Sequence, residues 1–189
     1  MPPGAIGSQR LARGGPLSGY FQPVRIRAPE GARIALAEEA GFGTTYWNEA
    51  LVGLQVGPVY RLRVTDFPPE PGQEVFPTVE IIDRLYPPAG LARRYPIPIE
   101  LTAEELEMAA HGMFVTRVIY VENPNQALPV REREDEQQWV EAPRGADALA
   151  VADEMGRPVA ILRIGGRIPS RSSTTFDACP PPLVHYDAL

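Results

Sequence analysis

Tyr60-Arg61-Leu62-Arg63-Val64-Thr65 sets apolar and polar side chains in strict alternation. Successive side chains of a strand point to opposite faces, so a period of two predicts a strand with one buried face and one wet face. A rigid turn follows at Phe67-Pro68-Pro69-Glu70-Pro71-Gly72, where proline and glycine fix the backbone angles. Residues 75–86 then return as a long strand, with Pro77 marking an edge position or a bulge, because proline cannot donate to a ladder. Upstream, Val24 and Ile26 alternate with Arg25 and Arg27, and Ile34 and Leu36 follow a turn at Pro29-Glu30-Gly31. Downstream, residues 97–101 read as a short strand near an edge. Residues 114–121 are apolar on nearly both faces, as expected of a central strand, and residues 159–164 give the last clear strand.

Two short helices interrupt this pattern. Thr102-Ala103-Glu104-Glu105 fits a capping box, in which Thr102 and Glu105 each satisfy the other's free backbone donor. Leu106, Ala109, Ala110 and Met113 recur at helical spacing, and Gly112 can end the helix. Ala148, Val151, Ala152 and Met155 mark the second, stopped by Gly156 and Pro158. Short strands with two helical turns between them predict a mainly β fold, a β-sandwich of immunoglobulin-like kind with extended termini. The sandwich is expected over residues 23–168, where the period-two patterning begins and ends. Residues 169–189 read as a proline-rich tail. Residues 1–22 hold five glycines and three prolines and read as an extended arm without a core of its own. That arm still carries Leu17, Tyr20 and Phe21, which a pure linker would not need. They are expected to bind a neighbouring subunit.

Composition narrows the function. The 189 residues suit one domain of roughly 100–150 residues with extensions. Twenty-two prolines and 17 glycines cut the chain into pieces too short for long helices. All 18 basic residues are arginine, but they are scattered, and a net charge of −6 argues against a nucleic-acid partner. No apolar run of about 18 residues exists, so no transmembrane segment is expected. The start, Met1-Pro2-Pro3-Gly4-Ala5-Ile6-Gly7, lacks the charged and apolar regions of a signal peptide. That fits either the cytoplasm or a chain whose leader has been removed, and the second is expected.

Little of the usual catalytic inventory is present. The single cysteine, Cys179, excludes an internal disulfide. It lies six residues before His185, but a nucleophile–base dyad would sit in a proline-rich tail with no rigid support. His111 falls at the end of the first helix and reads as a cap. A structural zinc site needs three or four thiolates or imidazoles. Glu132, Glu134, Asp135 and Glu136 lack the spacing of a calcium loop and read as a solvated run. No catalytic residue, metal or cofactor is therefore assigned. Gly41-Phe42-Gly43-Thr44-Thr45-Tyr46-Trp47-Asn48 reads as a glycine-bearing loop, whose Tyr46 and Trp47 either cap the core or stack on a partner or a sugar.

Three stretches carry a resemblance: Val56-Gly57-Pro58-Val59-Tyr60-Arg61-Leu62-Arg63-Val64-Thr65-Asp66, Pro71-Gly72-Gln73-Glu74-Val75-Phe76-Pro77-Thr78-Val79-Glu80-Ile81-Ile82-Asp83 and Phe114-Val115-Thr116-Arg117-Val118-Ile119-Tyr120-Val121-Glu122. Together they resemble an uncharacterised family of exported planctomycete envelope proteins, over residues 50–168. Pro2-Pro3-Gly4-Ala5-Ile6 is similar to the mature start of lipoproteins in those bacteria, although no lipidation cysteine is present. The resemblance implies a cell-envelope or extracellular location and carries no active-site residues. The expectation is a non-enzymatic β-sandwich that binds other protein subunits of a surface structure. A carbohydrate-binding module using Tyr46 and Trp47 is the alternative, with a glycan as its partner.

Overall fold

A computed structural model describes residues 2–14, 19–39, 41–69, 72–125, 139–165 and 180–187. Its elements are α1 (Ala5–Ala12), β1 (Phe21–Arg27), β2 (Arg33–Glu38), β3 (Gly41–Trp47), β4 (Glu49–Gln55) and β5 (Val59–Thr65). They continue as β6 (Glu74–Val75), β7 (Thr78–Ile81), β8 (Ile97–Glu100), α2 (Ala103–Ala110), β9 (Val115–Glu122), α3 (Ala148–Met155), β10 (Gly156–Ile164) and β11 (Leu183–His185). The protein is mainly β, with two sheets. One has four strands in the order β11-β4-β1-β8, with β1 and β8 parallel. The other has seven, in the order β3-β2-β5-β7-β10-β9, with β6 beside β5. In chain-order numbers an immunoglobulin-type sandwich runs 1-2-5-4 against 3-6-7. The immunoglobulin-like detail thus finds no support in the strand order.

Alternation places the core. Tyr60, Leu62 and Val64 of β5 are buried, while Arg61, Arg63 and Thr65 are half-exposed. The same buried cluster takes in Val24, Ile26, Val52, Leu54, Ile97 and Ile99 from the four-stranded sheet, so the two sheets share one core. Ile161 points away from its neighbours Ala160 and Leu162 and joins Ile6 and Ile82 in a second, smaller cluster. That cluster occupies the other face of the seven-stranded sheet, against Leu149 of α3 and Ile6 of α1. β10 is therefore covered on both faces.

Several local expectations change. β9 is the last strand of its sheet rather than a central one, and its burial is mostly partial. Residues 41–47 form an edge strand paired with β2, not a loop. The long strand over 75–86 is broken by Phe76-Pro77 into β6 and β7. The capping box at Thr102 forms as expected: its hydroxyl accepts from the Glu105 N–H at 3.2 Å, and Glu105 accepts from the Thr102 N–H at 3.2 Å.

The described parts of both termini dock on the fold. Part of the arm is a helix, and α1 lies on its own domain. It has no capping side chain of its own; the fully buried Glu80 of β7 supplies the acceptor instead. Gly4 and Gly7 donate their N–H groups to its two carboxylate oxygens at 3.0 and 3.1 Å, and Arg163 pairs with it at 3.1 Å. Arg10, one turn on, meets Asp83 at 3.3 Å, where Arg157 also binds at 2.7 Å. The helix sits so close that a Cβ on Gly7 would come within 2.5 Å of the Gly57 Cα. Glycine is required at that crossing. In the tail, β11 extends the four-stranded sheet by pairing with β4.

Candidate functional site

Of the residues expected to meet partners, Leu17 lies outside the described residues. Tyr20 and Phe21 turn to their own domain: the Arg84 guanidinium stands 5.4 Å from the Tyr20 ring, and half-buried Phe21 opens β1. Tyr46 and Trp47 are consecutive on a strand and so face opposite ways. Tyr46 packs against the core, whereas Trp47 is 68% exposed. The two rings do not form one site. They mark two separate places.

The first is a seam between the sheets. His185, on the outermost strand of the four-stranded sheet, contacts Glu38 and Tyr46 at the edge of the seven-stranded one. Its Nε2 lies 3.0 Å from a Glu38 oxygen, and the Tyr46 hydroxyl bonds its Nδ1. A carboxylate only accepts, so Nε2 donates to Glu38; in the neutral tautomer that leaves Nδ1 to accept from the Tyr46 phenol. Partial burial, with the charges of Glu38 and Asp187 adding to it, raises the Tyr46 pKa. The phenol therefore holds its proton. The order carboxylate–imidazole–hydroxyl is that of a relay that activates a nucleophile, and the same contacts join β11 to the edge of the seven-stranded sheet. Beside it runs an open groove of about 520 Å³ lined by Glu39, Phe42, Pro180 to Pro182 and Leu183. Gly43 floors this corner; a Cβ there would run into the Glu38 carboxylate.

The second place is the outer face of β3, β2, β5 and β6. Register aligns Trp47 with Arg33, Arg33 with Thr65, and Thr65 with Glu74, one polar row across four strands. The next row is Thr45, Ala35 and Arg63. Arg33 is held twice: its guanidinium lies 5.6 Å from the Trp47 ring centre and is paired with Asp66, which accepts from Nε at 2.6 Å. Thr65 also donates to Asp66 at 3.0 Å. Those two hydrogen bonds, the Arg33 one foremost, lower the Asp66 pKa. Asp66 can reach back to both partners because it sits at φ 57°, in the left-handed region at the end of β5. Small Ala35, between Thr45 and Arg63, leaves the floor low, and a polar groove of about 230 Å³ results.

His111 does cap α2, with Nδ1 2.9 Å from the Glu107 carbonyl. Cys179 and the acidic run at Glu132, Glu134, Asp135 and Glu136 lie outside the described residues. Neither place was legible locally. The His185–Glu38 contact spans 147 residues, and the polar face follows from register, which single-strand patterning does not give. No known family model, no curated protein and no solved structure matches the chain.

Proposed function

We propose that the chain is a non-enzymatic β-sandwich of the cell envelope or extracellular space, a binding subunit whose partners are other protein subunits. The observation that carries this reading is the β9 edge. β9 ends the seven-stranded sheet among the described strands, runs eight residues, and is rich in valine and isoleucine. At its two ends Phe114 is 68% and Val121 40% exposed, and Met113 beside Phe114 is also exposed. An edge strand presents unpaired N–H and C=O groups, and long apolar ones template pairing with another chain. The resemblance to exported envelope proteins supports the location. No helix among the described residues is long and apolar enough to cross a membrane.

The test is mass in solution. Light scattering on the purified protein should show a concentration-dependent species heavier than the 20.7 kDa chain. The double variant Phe114→Ser, Val121→Lys should run as monomer with an unchanged circular-dichroism spectrum, since both side chains are exposed. A wild-type protein that is monomeric at every concentration, matched by its variant, removes self-association through this edge.

A further inference from the structure

We propose that the outer face of β3, β2, β5 and β6 is a carbohydrate subsite taking one neutral pyranose ring, stacked on Trp47 with its hydroxyls in the adjoining polar groove. This site is independent of the edge-strand reading: β3 and β9 are opposite ends of the same sheet.

Trp47 supplies the first argument. A large indole left 68% exposed loses apolar burial worth roughly 25 cal/mol per Å². One side of it is backed by a guanidinium that is itself paired with Asp66, which narrows the positions the indole can take. Arg33 covers part of the ring, and the exposed remainder is a flat apolar platform. Pyranoses with equatorial hydroxyls offer a matching C–H face. An aromatic platform with few torsions, backed on one side, forfeits less side-chain entropy on binding than a long flexible chain would.

The groove supplies the second. At about 230 Å³ it is smaller than the roughly 300–1,000 Å³ typical of drug-sized ligands, which suits a single ring. Its walls are Arg33, Arg63, Asp66, Glu74, Thr45 and Gln73. Guanidinium, carboxylate, hydroxyl and amide groups together donate and accept, as vicinal sugar hydroxyls require. Two arginines face two carboxylates, so the lining is neutral in sum, and the ligand it complements is uncharged. Tyr46, which the sequence groups with Trp47, takes no part, since it is engaged with His185 on the other face.

The experiment uses the full chain with Trp139→Phe, which leaves Trp47 as the sole tryptophan. The probes are cellohexaose, mannohexaose and polygalacturonate, followed by fluorescence and by calorimetry. At least one neutral hexaose should shift and quench the Trp47 emission saturably. Calorimetry should show that Trp47→Ala abolishes this binding and that Arg63→Ala weakens it about tenfold, or ~1.4 kcal/mol. Both variants change exposed or half-exposed side chains, and circular dichroism checks that they fold. Three results overturn the proposal: no saturable response to either neutral hexaose, binding confined to polygalacturonate, or hexaose affinity unchanged by Trp47→Ala. If Trp47→Ala alters the particle mass and no sugar binds, the face is a protein contact and the proposal fails while the assembly reading stands.

Discussion

Tyr60 shows how one residue can join three parts of the molecule. The alternation in 60–65 assigns its ring to the core, and it is 2% exposed. What the alternation cannot show is the hydroxyl, which accepts from the Gln55 N–H at 2.8 Å and donates to the Pro182 carbonyl at 2.8 Å. A strand of one sheet thus holds β4 of the other and the segment leading into β11. Burial pushes its pKa up to about 12, only partly opposed by the Gln55 N–H. The folded state therefore binds this proton more tightly than the unfolded chain does. Its contribution is complete below pH 10.0 and is lost as pH rises from there toward about 12. At roughly 1.4 kcal/mol per pH unit, the loss is on the order of 2–3 kcal/mol. Tyr60→Phe should cost about 1–3 kcal/mol near neutral pH, by leaving the Gln55 and Pro182 groups without this partner. The gap between wild type and variant in urea midpoints should then narrow above pH 10.0. A gap of constant size across that range would contradict the burial of the phenol.

At the scale of elements, legibility followed sequence distance. The α2 cap and the alternation of β5 depend on residues within a few positions of one another, and each reads correctly, whereas β1 opens at Phe21, inside the stretch read as the arm. β9 reads as central because valine and isoleucine occupy both of its faces. In the fold, Ile119 faces the shared core and Val118 the smaller cluster, but no described strand lies beyond it. Composition reports which faces are covered, not which edge is. β11 is illegible for another reason: three residues are too few for a period, and what holds them is distant in sequence, namely β4, Tyr60 and the partners of His185. His185→Ala should therefore act locally. Amide exchange at Leu183 to His185 should quicken by at least tenfold, about 1.4 kcal/mol of local opening, while β5 and β10 amides keep their rates. If the β5 amides exchange faster to the same degree, the seam belongs to the global unfolding unit and is no separate tether.

For the whole molecule, the question is whether the N-terminal segment serves its own domain or a neighbour. Glycine and proline content argues for an arm that orders only against something else, and the fold supplies that surface in cis. Ile6 is 8% exposed against Ile82 and Ile161, Leu11 packs on the main core, and Glu80 receives two N–H groups from the segment. Removing residues 1–19 would return Ile6 and Leu11 to water, at roughly 1.5–3 kcal/mol for a fully buried side chain and less for half-buried Leu11. It would also leave the buried Glu80 with Arg163 but without its helix donors, and hydrogen bonds to a charged group contribute about 1.5–3 kcal/mol. Ordering the helix offsets part of this, since each fixed residue costs about 1–2 kcal/mol. The truncated chain should lose about 2–5 kcal/mol of stability in urea unfolding, independent of protein concentration. Gly7→Val, which places side-chain atoms against Gly57, should lose a similar amount with the full chain present. A concentration-dependent loss would mean that the segment stabilises the fold from a second copy. An unchanged midpoint with a reduced particle mass would make it an assembly arm after all.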